Sequence, residues 1–201
     1  MKKVSALVGA LVLVGSQMVV AGDSYIGLGF GSSKYDTGVS NITGSATLDE
    51  KDSAVKIFYG FNVASQIAVE VHYADLGEAS LKGNNGDTFD IDSSSFSFIA
   101  NDAAIVSEAT SFGVSGVFKL FDEASVNPYF KAGIHRWDVD AQVSSTSSAT
   151  ASVSDDGFDA LFGIGADIKV SDSFFIRAEY ESYTIGDDDA AVATLSANIV
   201  F

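Results

Sequence analysis

Nine titratable side chains stand on the small or polar side of stretches that otherwise alternate with greasy residues: Lys56, Glu70, His72, Lys131, His135, Asp167, Arg177, Glu179 and Glu181. Such groups could shuttle protons, hold a metal or pair with one another, and residue spacing separates these options. His72 and His135 are the only histidines, and neither lies in a Ser-His-acid pattern. Gly113-Val114-Ser115-Gly116 misses the spacing of a nucleophile elbow. There is no cysteine to ligate zinc, and no pair of histidines spaced as on a zinc-binding helix. The acidic clusters Asp87/Asp90/Asp92, Asp155/Asp156 and Asp187 to Asp189 lack calcium-loop spacing. They read as solvated surface, with weak divalent binding as the alternative. The expectation is therefore a chain with no catalytic residues, no metal and no cofactor.

The elements that must position these charges are strands. From Val55, the odd-numbered Val55, Ile57, Tyr59 and Phe61 share one face, while Lys56, Phe58 and Gly60 share the other. After a turn at Asn62–Ser65, Ile67, Val69, Val71 and Tyr73 oppose Ala68, Glu70 and His72. Side chains alternate sides along a strand, so this is a hairpin with one continuous apolar face. The same parity recurs elsewhere. Ile26, Leu28 and Phe30 oppose Gly27 and Gly29, while Phe130, Ala132 and Ile134 oppose Lys131, Gly133 and His135. Further on, Phe162, Ile164, Ala166 and Ile168 oppose Gly163, Gly165 and Asp167; Phe174, Ile176, Ala178 and Tyr180 oppose Phe175, Arg177, Glu179 and Glu181. The glycines at period two precede no helix and are no nucleotide fingerprint; they leave room in a narrow interior. Loops are expected over Ser33–Asp52, Asp138–Gly157 and Thr184–Ala190. The longest connection, Asp75–Ala109, should be a ribbon extending its neighbouring strands; an extra membrane hairpin is the alternative, opposed by the cost of Asp87, Asp90 and Asp92 near lipid.

Counted this way, eight strands of about 9–11 residues alternate between long loops and short turns, the dimensions of a membrane barrel. A soluble sandwich would show the same alternation with the apolar face turned inward. The export signal, the loop asymmetry and the even strand count together decide against it. Lys2 and Lys3 precede an apolar run from Val4 to Val14, and Val19-Val20-Ala21 precedes a cut before Gly22. This reads as a secretory signal peptide over residues 1–21, too short for a spanning helix, leaving 22–201 as the barrel domain. Aromatic residues at Phe61, Phe118, Phe130, Phe174 and Phe201 would form an interfacial girdle at the short-turn rim. A net charge of −16 opposes nucleic-acid binding, which needs clustered Lys and Arg. The fold class expected is all-β, an eight-stranded antiparallel up-and-down transmembrane β-barrel.

Three stretches carry a family resemblance. Gly60–Gly77, GFNVASQIAVEVHYADLG, and Gly163–Tyr183, GIGADIKVSDSFFIRAEYESY, resemble strand–turn–strand segments of the OmpA family and its OmpX-type relatives. The final strand, ending in Phe201, resembles the terminal signal read by the outer-membrane insertion machinery. The resemblance implies a monomeric barrel in the bacterial outer membrane, among lipids and lipopolysaccharide, with acidic loops outside for an unknown extracellular partner. It also implies a lumen ion-pair network at Glu70, Lys131, Asp167, Arg177 and Glu179, with Lys56, His72, His135 and Glu181 as a possible extension. Where the best-known family plug has a basic residue on strand four, this chain has Ser115, so Glu70 must pair with Arg177, Lys131 or water. Nothing within these residues resembles a peptidoglycan-binding domain, so that role is not carried over. Structural filling of the lumen is the expected role of the charges, with a small or gated porin as alternative. A lipid A-modifying enzyme, known among eight-stranded barrels, is the weaker one.

Overall fold

Alternation at period two becomes pairing between strands. The computed structural model describes residues 24–121, 124–146 and 148–201; the expected signal peptide lies outside them. Twelve strands run β1 Ser24–Asp36, β2 Val39–Ser40, β3 Thr47–Asp49, β4 Lys51–Ala64, β5 Ile67–Gly83 and β6 Thr88–Ile91. They continue as β7 Ser94–Ser97, β8 Ala103–Lys119, β9 Val126–Ser145, β10 Ser148–Ser171, β11 Phe174–Ile185 and β12 Asp188–Val200. Eight of these, in the order β5-β4-β1-β12-β11-β10-β9-β8, form one antiparallel sheet that closes on itself through β5 and β8. Closure leaves no free edge, which is what a sheet in hydrocarbon requires. First and last barrel strands meet in the register Tyr25↔Val200 through Asp36↔Asp189. At the end of that seam, the Phe201 amide donates to the Ser24 carbonyl at 2.9 Å, and the Ser24 amide donates back at 3.1 Å.

The outward set is apolar along its length: Leu28, Phe30, Val114, Phe130, Ile134, Phe162, Ile164, Leu195 and Ile199 are all exposed. Phe118 and Phe130 stack at 4.8 Å near the short-turn rim, and Tyr59 meets Phe201 at 6.3 Å. No helix occurs among the described residues.

At the other rim the strands run farther than expected. The stretch Asp138–Gly157 is not a loop. It is the paired upper half of β9 and β10, with Asp138↔Asp156 and Val143↔Ala151 in register. Above the bilayer, water solvates the charged side chains while the backbone ladder continues, so Ser, Thr and Asp there do not stop a strand. In the same way Lys34↔Lys51 pair within the expected loop 33–52, and Ile185↔Asp188 flank a two-residue turn at Gly186-Asp187. Pro128 lies inside β9, two residues after its start.

The connection 75–109 continues β5 and β8 as a ribbon, resumed at Glu78↔Glu108 after a bulge. Its tip forms the hairpin β6-β7, which β2 from the β1–β4 connection joins as a small three-stranded sheet. The apolar patch in this connection splits: Phe98 is buried against Phe89, which also stacks on Phe96 at 5.7 Å, whereas Ile99 is exposed. There is no extra membrane hairpin.

Asp87 ties this roof together. Its carboxylate accepts the Asn84 amide at 2.9 Å, the Ser45 amide at 3.1 Å and the Ser45 hydroxyl at 2.8 Å. These bonds, the Asn84 amide foremost, hold its pKa below the ordinary aspartate value. A depressed carboxylate pKa stabilises the fold above the unfolded pKa, and that contribution disappears as pH falls through the folded one. Hydrogen-exchange protection at Ser45 and Asn84 is therefore expected to fall on acidification below the normal aspartate range. In Asp87→Asn the protection should already be lower at neutral pH.

Candidate functional site

The lumen is filled in three layers. Nearest the short-turn rim, Tyr25, Phe58, Ala68, Val117 and Tyr129 pack with Phe175 and Val200. Toward the long-ribbon rim, Tyr35, Leu76, Trp137, Leu161 and Tyr183 pack with small alanines. Between these apolar layers lie most of the charges, with Asp167 at the short-turn rim. An eight-stranded barrel is about wide enough for side chains to fill, and here long charged ones span it.

Seven charged residues form one connected group. Arg177 donates from Nε to Asp167 Oδ1 at 2.6 Å and from Nη2 to Oδ2 at 3.1 Å; the pair sits directly across β10 and β11. Its Nη1 reaches Glu70 on β5. Lys131 on β9 lies 2.7 Å from Glu70 Oε2, 2.6 Å from Glu179 Oε2 and 3.2 Å from Glu181 Oε1. Lys56 on β4 contacts both Glu179 and Glu181 across the lumen. All seven are buried. Buried charges persist only when paired and hydrogen-bonded, and the bidentate Arg177–Asp167 geometry is the strong form of such pairing. Ser115 is directly opposite Glu70 in the β5–β8 register, but its hydroxyl is buried without a partner. Glu70 is instead held by both Arg177 and Lys131.

Sequence spacing gave no role to three tyrosines that complete this group. Tyr25 donates to Glu70 Oε1 at 2.6 Å, Tyr129 to Glu179 Oε2 at 2.5 Å and Tyr183 to Glu181 Oε2 at 3.0 Å. The Arg177 guanidinium also lies 4.6 Å from the Tyr129 ring centre and 5.2 Å from that of Phe58. Their inward parity was the available signal, because each phenol alternates with lipid-facing neighbours as the charges do.

The histidines stand apart from the ion pairs. His135 Nδ1 is 3.0 Å from the Ser111 hydroxyl, and its Nε2 is 3.0 Å from the Thr184 carbonyl. His72 and His135 both pack edge-on to Tyr183, at 5.9 and 5.2 Å, and His72 has no hydrogen-bond partner at either ring nitrogen. No group of three metal-ligating side chains occurs among the described residues.

Close packing over glycine makes these spans possible. Tyr25 lies against Gly60 and Tyr129 against Gly165, where a Cβ would overlap the phenol ring. Gly165→Val is expected to destabilise the barrel by about 1–3 kcal/mol through overpacking, seen as a lower urea midpoint for unfolding from lipid vesicles.

Residues 20–200 match the model of the OmpA-like transmembrane domain. The chain belongs to that family. This OmpA-like barrel is similar in fold to Ail, the attachment invasion locus protein of Yersinia pestis, solved with the heparin analogue sucrose octasulfate. The two share 18% identity at a TM-score of 0.56, over 90% of this chain and 99% of Ail. It is also similar to Neisserial surface protein A, with 14% identity and a TM-score of 0.57 over 90% and 99% of the two chains. OprG of Pseudomonas aeruginosa matches at 14% identity and a TM-score of 0.56, over 90% and 96%. No curated protein sequence matches. The OmpA-like barrel is accordingly an integral protein of the bacterial outer membrane.

Proposed function

We propose that this OmpA-like protein is a non-enzymatic, monomeric outer-membrane barrel whose lumen is a closed structural plug. Its long acidic ribbons face the cell exterior for surface interaction. One observation carries this reading: the ion-paired layer lies between two apolar layers, so an ion crossing the lumen would meet Leu76, Leu161 and Tyr183 on one side and Phe58 and Val117 on the other. Glu70, Lys131, Asp167, Arg177, Glu179, Lys56 and Glu181 then serve the barrel's cohesion, and His72 and His135 are polar filling beside Tyr183. Export through residues 1–21 and recognition of the strand ending in Phe201 by the insertion machinery belong to the same proposal, as does contact with lipopolysaccharide around the wall. Both histidines are buried inside the barrel, away from any lipid A headgroup. Lipid A from cells with and without the protein is expected to give the same mass spectrum.

The rival reading is a small or gated pore. It draws support from cavities at both ends of the lumen, about 260 Å³ under the roof and about 250 Å³ beside Tyr25 and Lys169. It also notes that four carboxylates face only three cations. Planar-bilayer recording separates the two. The closed plug gives no conductance steps from refolded protein, whereas a gated path gives steps that grow in Arg177→Ala.

A further inference from the structure

The lumen changes character beneath the roof. Above the charged layer, the strands that should enclose an aqueous mouth instead line a cavity with Tyr35, Leu81 and Ile105. Val39 of β2 and Ile91 of β6 add to the lining. They leave a cavity of about 260 Å³ whose lining is mostly apolar. A cavity of about 150 Å³ lined by aliphatic side chains already takes up benzene, so this one has room for a ring with a short chain.

One ionised group reaches the cavity. Asp188, at the start of β12, is part of its lining. Its side chain is exposed at the rim; partial desolvation, followed by the nearby carboxylates of Asp92, Asp36, Asp187 and Asp189, raises its pKa above the ordinary aspartate value. The four neighbours concentrate negative charge at the rim. An entering anion is repelled there, and an entering cation relieves the repulsion. Among the described residues no Lys or Arg forms a salt bridge with Asp188. Of the hydroxyl residues in the lining, Thr37, Ser80 and Ser107, Thr37 is already committed to Glu50 at 2.8 Å.

We propose that this cavity is a binding site for a small cationic amphiphile: a primary amine on a short aryl or alkyl chain, its apolar body between Leu81 and Ile105 and its ammonium on Asp188. Pockets that bind small molecules combine an apolar lining with a few placed polar groups, and here the exposed Asp188 carboxylate at the edge of an apolar lining sets the orientation. The proposal concerns the mouth alone and holds whether or not the lumen below conducts.

The test uses the refolded barrel in lipid nanodiscs, with amide chemical shifts followed by NMR and with Trp137, the only tryptophan, as a fluorescent reporter. The probes are 2-phenylethylamine and its anionic counterpart 3-phenylpropanoate. The amine is expected to produce saturable shifts centred on Leu81, Ile105 and Ile185, and the carboxylate none. Asp188→Asn should weaken amine binding by about tenfold, as expected for one charge-assisted contact. Ala109→Phe, which fills the cavity from β8, should abolish it. Absence of saturable shifts with the amine, equal binding of both probes, or unchanged affinity in Asp188→Asn would each overturn the proposal. The last two outcomes are readable even if Ala109→Phe fails to refold.

Discussion

Arg177→Ala is expected to lower the stability of the folded barrel in lipid vesicles by about 3–5 kcal/mol, the cost of stripping one partner from a buried ion pair. The reason is local. Arg177 holds Asp167 through two bonds and reaches Glu70 with a third nitrogen, with Arg177 and Glu70 fully buried in the lumen and Asp167 at the edge of the cavity beside Tyr25. Its removal leaves Asp167 without its bidentate partner and leaves Glu70 dependent on Lys131 and Tyr25. The loss should be largely recovered by removing the charges left behind. Adding Asp167→Asn and Glu70→Gln to Arg177→Met keeps the volume and eliminates the stranded carboxylates. Equilibrium unfolding in urea, followed by the heat-dependent gel shift, measures both. A mild loss in Arg177→Ala would mean that water already reaches this layer.

The second large effect lies on the opposite face. Ile164 is 64% exposed at the middle of the outward run Phe158–Ile168, between Phe130 and Tyr180 on the flanking strands. An arginine there would face hydrocarbon, and Ile164→Arg is expected to cost up to about 2–4 kcal/mol, the figure for the midplane. Insertion into preformed vesicles should slow and the folded fraction should fall. The same substitution at Ser154, on the same face of β10 but far up the β9–β10 ribbon and exposed, should be tolerated. The pair of variants therefore locates the membrane band. Equal tolerance at both positions would place Ile164 in water.

Parity made most of the barrel legible. Lys56, Glu70, Lys131, Asp167, Arg177, Glu179 and Glu181 could be assigned to the inside because a strand admits only two sides and lipid claims one. What parity omits is height. Which charges meet depends on strand tilt and stagger, so Lys56 reaching Glu179 and Glu181 from across the lumen is not written in any local pattern. The layering was hidden for the same reason. Leu76 and Leu161 are inward and apolar, but only register shows that they share a level with Tyr35 and Tyr183.

The ribbons were misread for a different reason. Composition near Asp138–Gly157 resembles a loop, because Ser, Thr and Asp are what solvated segments carry. Yet backbone pairing needs only neighbouring strands and room outside the bilayer. The roof over the mouth depends on contacts between Val39 of one connection and Phe89 and Phe98 of another, more than forty residues away in sequence. Nothing in either segment alone announces the other.

The chain has no cysteine, so single nitroxide labels can be placed without background. The most direct measurement compares labels at Ile134 and Ile164 with one at Ser115 in lipid bilayers, using dissolved oxygen and a water-soluble nickel complex as relaxing agents. The barrel described here requires strong oxygen relaxation and nickel protection at both isoleucines, and weak relaxation by either agent at Ser115. Nickel access at the isoleucines, with both shielded from oxygen, would contradict the outward placement of the apolar face.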